Sequence, residues 1–355
     1  MTRKLFPTSV VGSMPRPAFV RDLIMADPPL EAAEFKSKMD SAIRYVVALQ
    51  EQAGLDVITD GEWRRKSYIG VIAELAEGFE LGVNESDGRP WTTVVGKLSP
   101  KKPGFIAEEV RFLKSISDRL IKATLPAPAL LGERMWDPEM SRNAYPTREE
   151  FVRDCVPILR REVELLIEAG SDIIQIDDPH LCLFVDEEVR AKYEDPVGAM
   201  DFSVEMVNAV VEGFDRARFA LHLCRRAGAR VRGEKRHAGG YGPILEHLNR
   251  LDYGHLTMEF STPEAGDCDV FKDLRDDFEI GLGCVGVTPG QVDSAEEIAS
   301  RVRRVAEHVD PKRIVLNPDC GFAPGSGAVV SLDETYEKLK QEVLAGKILR
   351  EEFGD

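Results

Sequence analysis

Eight short apolar runs rich in Val and Ile recur along the chain, at residues 9–11, 55–59, 121–125, 172–176, 218–223, 255–260, 279–287 and 313–316. Longer stretches with helical periodicity separate them, so each run reads as a buried parallel strand and each stretch as its crossover helix. Three helices carry start signals: Thr147 with Glu150, Ser294 with Glu297, and Ser331 with Glu334 each fit a capping box. Two junctions share one grammar. Ala53-Gly54-Leu55-Asp56 leads into Val57-Ile58, and Ala169-Gly170-Ser171-Asp172 leads into Ile173-Ile174, in each case helix, glycine stop, then strand. Eight repeated βα units within 355 residues favour an α/β fold made of a single (βα)8 TIM barrel spanning 1–355 over two doubly wound domains. Residues 17–50 read as helices after the first strand. The segment 78–103, with Gly82, Gly88, Pro90, Gly96, Pro100 and Pro103, is too turn-rich for a barrel helix and reads as an inserted hairpin or loop after strand two.

Charge removes several functional classes. With 62 acidic against 46 Lys and Arg residues, the net charge is −16 at pH 7, which gives no general attraction for nucleic acid or an anionic membrane surface. No apolar run approaches the roughly 20 residues of a membrane span. Near the N-terminus Pro7, Gly12, Ser13 and Pro15 interrupt what a secretory leader would need, so a cytoplasmic protein is expected. The six cysteines lack the close pairing of a disulfide framework and read as free thiols or metal ligands.

The chemically reactive side chains cluster just after the expected strands, the end at which barrels of this kind build their sites. Gly12-Ser13 follows the first strand, Asp60-Gly61-Glu62 the second and Asp177-Asp178-Pro179-His180 the fourth. His222-Leu223-Cys224 ends the fifth, Glu259 lies on the sixth, and Asn317-Pro318-Asp319-Cys320-Gly321 follows the eighth. Together His222, Cys224, Glu259 and Cys320 offer the donor types zinc prefers. The i, i+2 spacing of His222 and Cys224 points both side chains to one face of a strand end.

Five ordered motifs, VGSMPRP (11–17), GLDVITDGEWRR (54–65), IIQIDDP (173–179), HLC (222–224) and LNPDCG (316–321), resemble the catalytic barrel of the cobalamin-independent methionine synthase family. The resemblance implies a zinc ion held by His222, Cys224, Glu259 and Cys320. It implies that Gly12 and Ser13 receive the carboxylate of an amino-acid thiol, and that Glu62 and Asp177 hold its amino group. Zinc would deprotonate the acceptor thiol, a homocysteine-like small molecule, and the methyl group would come from methyltetrahydrofolate or a methyl-corrinoid. A departing folate amine needs a proton, for which Asp178 is a candidate, although it also reads as a structural hydrogen-bonding partner. Trp136, after the third strand, could face a flat pterin-like ring. A homo-oligomer is compatible with this reading.

The chain departs from the family pattern in three places. The second, N-terminal barrel of the long synthases is expected to be missing, which opens the identity of the donor. Val287-Thr288-Pro289 stands where the long enzymes carry a His before Ser-Pro. Glu264, near Glu259, is an alternative carboxylate. The chain also has six basic residues between 225 and 236, Arg225, Arg226, Arg230, Arg232, Lys235 and Arg236. They read either as a solvated loop or as an anion-binding loop led by Arg225 and Arg226. Such a loop would suit a second reading, a zinc enzyme joining coenzyme M or another thiol to an epoxide or similar electrophile. A rival of another class is a non-catalytic zinc- or thiol-binding barrel. Among the remaining residues, Trp63 reads as packing, His180 and Cys182 as structural, His237 as exposed, and Gly239-Gly240 as a flexible turn.

Overall fold

Seven of the eight apolar runs become strands of one parallel sheet. The computed structural model describes residues 4–26, 28–84, 90–226, 237–323 and 330–354. Its strands are β1 (Val57–Ile58), β2 (Ala76–Val83), β3 (Pro90–Pro100), β4 (Leu120–Pro126), β5 (Ile173–Asp177), β6 (Phe219–Leu223), β7 (His255–Glu259), β8 (Glu279–Val285) and β9 (Ile314–Pro318). The sheet order is β1-β4-β5-β6-β7-β8-β9, and every neighbouring pair is parallel. β2 and β3 form a separate antiparallel pair within the turn-rich segment. It leans on the helix Arg148–Glu168 through an edge-on contact of Phe79 with Phe151, ring centroids 6.1 Å apart.

The run at 9–11 is the exception, forming no strand of its own. Its carbonyls are taken by side chains instead: Lys122 Nζ donates to Val10 O at 2.6 Å and Gln175 Nε2 to Val11 O at 3.1 Å. The residues just before it still tie the two sheet edges together. Thr8 bridges Leu316 of β9 in parallel, Leu316 N donates to Pro7 O, and Asp56 and Val57 both donate to Thr8 O beside β1. Both edges therefore end on one segment, and the sheet is curled.

The curl explains why the strands alternate although both faces are buried. Ile121, Ala123, Leu125, Ile174, Ile176, Leu221, Leu223, Leu256 and Met258 belong to the apolar core, while Lys122, Thr124, Gln175, Asp177, His222, His255, Thr257, Glu259 and Asn317 are buried polar residues between them in sequence. A two-residue period puts these sets on opposite faces. The polar set shares a tight interior: a Cβ at Gly281 would lie 2.8 Å from Asn317 Nδ2 and 3.0 Å from Thr257 Oγ1. Only a residue without a side chain fits there.

Local signals position the helices as expected. Thr147 and Ser331 accept from the backbone N–H of Glu150 and Glu334, and Ser294 with Glu297 forms a complete capping box on the helix Ala295–Ala306. Gly54 ends the helix Ala32–Ala53 in the left-handed region at φ 96°, which a side chain would disfavour. Among the described residues, no helix is long and apolar enough to cross a membrane. Removing the Ser294 cap should lower stability by about 1 kcal/mol. Urea unfolding of Ser294→Ala should show a lower midpoint with an unchanged slope; an unchanged midpoint would mean the cap contributes nothing.

Candidate functional site

Parallel packing of β6, β7 and β9 brings the reactive ends of three strands together. His222, Cys224 and Cys320 are all buried, and their ligating atoms lie within 4.8 Å of one another. The Cys224 thiol is 3.3 Å from Cys320 Sγ and donates to Glu259 Oε1 at 3.1 Å, so Glu259 joins the group through Cys224. Both thiols are free, as are all six cysteines. His222 Nδ1 sits 2.9 Å from Asp177 Oδ1, which leaves Nε2, buried and without a hydrogen-bond partner among the described residues, as the nitrogen facing the sulfurs.

Electrostatics identifies what the cluster lacks. Cys320, burial and Glu259 together hold the Cys224 thiol well above its usual range, so this pocket opposes thiolate formation when it contains no cation. Burial works against charge on His222, yet Asp177 and Cys224 outweigh it and lift the imidazole to about 10. A metal ion would reverse both tendencies, since it binds thiolate and neutral imidazole and supplies the missing positive charge. The backbone N–H of Arg226, held at φ 62°, donates to Cys224 Sγ at 3.1 Å and favours the thiolate as well. The orphaned imidazole nitrogen, two thiols and one carboxylate fit a metal ion.

Around the cluster lie the other residues singled out in the sequence. A Cβ at Gly12 would stand 2.7 Å from Glu62 Oε1, and one at Gly321 would collide with Ser13 Oγ, so both glycines allow close approach of chain to carboxylate and hydroxyl. Ser13 Oγ accepts from Ala323 N, and Ser13 O from Phe322 N, fixing the turn to the segment after Cys320. Glu62 occupies the left-handed region at φ 59°, a strained conformation for a side-chain-bearing residue. Thr124 donates to its Oε1 at 2.9 Å. Burial raises its carboxyl, Arg65 opposes that rise, and Asp177 adds to it. The Arg65 guanidinium is itself buried against Glu109 at 2.7 Å and donates to the Thr124 carbonyl.

Some placements correct the expectations. Arg225 does not offer its charge to an open anion site: it is fully buried, and its guanidinium donates to Gly239 O, Tyr241 Oη and Ala265 O. Arg230, Arg232, Lys235 and Arg236 lie outside the described residues. His237 is not simply exposed, because Nδ1 pairs with Asp186 at 2.9 Å and little of the side chain is accessible. Gly239, at φ 138°, is no loose turn, since a Cβ there would be 2.5 Å from Val185 O. Trp136 commits its indole N–H to Tyr145 O and packs against the core. Trp63 is buried and donates to Met14 O, as a packing residue should. His180 and Cys182 are buried structurally, the imidazole edge-on to Phe184.

Asp178 is buried as the N-cap of the helix Pro179–Leu183, with Oδ1 accepting from Leu181 N and Oδ2 from Ser203 Oγ. Tyr68, which no sequence motif marks, enters the same region. Burial, then Asp177 and Cys224, keep its phenol above the ordinary range, so its hydroxyl shares their electrostatic neighbourhood.

Residues 6–347 match the family model described as cobalamin-independent synthase, catalytic domain. A methionine synthase from Saccharolobus solfataricus is 28% identical over 98% of this chain and 96% of its own length. One from Saccharolobus islandicus strain L.S.2.15 is 29% identical with the same coverage. A B12-independent methionine synthase from Shewanella sp. W3-18-1, solved with selenomethionine, superposes with a TM-score of 0.79. It has 23% identity over 98% of this chain and 99% of that one, a likeness of fold.

Burial raises the Asp178 carboxyl to about 6, above the value of 3.8 it has when unfolded. Between those values the folded state binds the extra proton, so this group makes the protein less stable as pH rises from about 4 to about 6. Asp178→Asn keeps the cap and removes the titration. Measured by urea unfolding, the stability of the wild type relative to this variant should fall across that pH interval; a constant difference would contradict the assignment.

Proposed function

This chain belongs to the cobalamin-independent synthase family by its catalytic domain, and from that premise we propose that it is a zinc-dependent methyltransferase making methionine from homocysteine. The observation that carries the reading is the buried convergence of His222, Cys224 and Cys320 with Glu259 alongside. The curled sheet, its edges joined at Thr8, supports a (βα)8 barrel in which residues 1–355 form a single domain.

His222, Cys224, Glu259 and Cys320 would hold the zinc. When bound, it would lower the pKa of the acceptor thiol and present a thiolate to the methyl donor. Asp177 fixes the imidazole through Nδ1, and Gln175 Nε2 donates to the same carboxylate oxygen at 2.8 Å. Its other oxygen is left for the amino group of homocysteine, with Glu62 beside it. The Gly12-Ser13 turn would face the substrate carboxylate. Asp178 is assigned to holding the helix Pro179–Leu183 rather than to proton transfer, because both of its oxygens are engaged. The donor is methyltetrahydrofolate or a methyl-corrinoid, and the exposed part of Trp136 is a surface for its ring. The inward turn of Arg225 withdraws one of the six basic residues that would suit a sulfonated thiol as acceptor.

The purified protein should form methionine when homocysteine is combined with methyltetrahydrofolate or methylcobalamin, and should form no thioether from coenzyme M and an epoxide. The reverse pattern would transfer the reading to thiol–epoxide chemistry, and no product from any pair would favour a binding protein. Metal analysis should find about one zinc per chain. Cys320→Ser should lose most of that zinc together with activity, and an unaltered zinc content would remove Cys320 from the ligand set.

A further inference from the structure

Arg225 is a large charged side chain with no exposure to solvent, next in sequence to Cys224. Its backbone N–H donates to Glu259 Oε1 at 3.0 Å, and its Nη1 stands 3.7 Å from Glu259 Oε2, so the one residue faces both oxygens of the carboxylate. Nε and Nη2 donate to Gly239 O at 3.1 and 2.9 Å, and Nη2 also reaches Ala265 O at 3.3 Å. Nη1 donates to Tyr241 Oη at 2.9 Å, with the guanidinium carbon 4.1 Å from the centre of that ring. Tyr241 Oη in turn accepts from Glu259 N at 2.9 Å and donates to Glu259 O at 3.3 Å. The side chain and backbone of Glu259 are thus both held by one knot, whose centre is a guanidinium.

We infer that Arg225 is the positioning residue of the metal centre, orienting Glu259 and supplying the positive charge that a site of two cysteines and a carboxylate needs. The inference rests on the ligand assignment proposed above. Two thiolates and a carboxylate around a divalent zinc leave a net charge of −1, and a substrate thiolate would make it −2. A buried, permanently charged guanidinium moderates that excess where solvent cannot. Its planar fork also reaches two carbonyls, a phenol and a carboxylate at once, which the ammonium of lysine cannot match.

Outer partners of metal ligands typically change affinity by roughly ten- to a hundredfold. Zinc affinity, read by competition with a chromophoric chelator, should therefore fall by about that factor in Arg225→Met and by a smaller factor in Arg225→Lys. Cobalt(II) in place of zinc reports ligand geometry directly, and its visible absorption should shift in both variants. The same change made in a Glu259→Gln background should cost less further affinity than in the wild type, because the part that runs through the orientation of Glu259 is already lost and only the charge effect remains, whereas general damage to the fold would cost as much in either background. If Arg225→Met does not fold, by far-UV circular dichroism, Arg225→Lys carries the comparison. Wild-type affinity and spectrum in the Arg225 variants would overturn the positioning role and leave the zinc reading intact. A wild-type protein that binds neither metal would overturn both.

Discussion

Two thiols, an imidazole and a carboxylate packed within a few ångströms in a buried pocket compete for positive charge, and much of the surrounding structure follows from that constraint. The Cys224 thiol is held far above its ordinary range and His222 Nε2 has no hydrogen-bond partner among the described residues. Asp177 is close enough to orient the imidazole, and the Arg226 N–H is aimed at sulfur. These are features of a binding site poised for positive charge. A pocket stabilised for its own sake would have paired the nitrogen and neutralised the acids.

The curled sheet makes this arrangement cheap to assemble. His222, Glu259 and Asp319 lie at the ends of consecutive or near-neighbouring parallel strands, so register alone brings them to one rim. Asp319 then clamps the backbone after β7, accepting from Phe260 N and Ser261 N at 3.0 and 2.9 Å and pairing with Ser261 Oγ. Glycines keep the rim narrow. Gly12 and Gly321 let Glu62 and Ser13 come closer than a Cβ would permit, and Gly283 does the same for Asp319. The Arg65–Glu109 pair supports this edge from the opposite side, through Thr124 to Glu62.

What the sequence made legible was mostly what period and spacing encode. Seven of the eight strand runs, the helix caps at Thr147, Ser294 and Ser331, and the antiparallel pairing of β2 with β3 in the turn-rich segment depend on local pattern, and these are present. The convergence of His222, Cys224 and Cys320 was readable because each sits at a strand end. Arg225 was misleading because a row of basic residues resembles a solvated loop. Its inward turn is decided by Tyr241, Gly239 and Ala265, which local sequence does not connect to it. Residues 9–11 look like a strand, yet Lys122 and Gln175 take their carbonyls from 112 and 164 residues away. Tyr68 carries no motif, and only the folded arrangement places its hydroxyl in the field of Asp177 and Cys224.

The central claim is that these donors hold a metal ion together, and X-ray absorption at the zinc edge addresses it most directly. For the zinc-loaded protein, the reading predicts an inner shell of two sulfur and two nitrogen or oxygen ligands, with zinc–sulfur distances near 2.3 Å. A shell made only of nitrogen and oxygen would place the metal elsewhere in the molecule and contradict it.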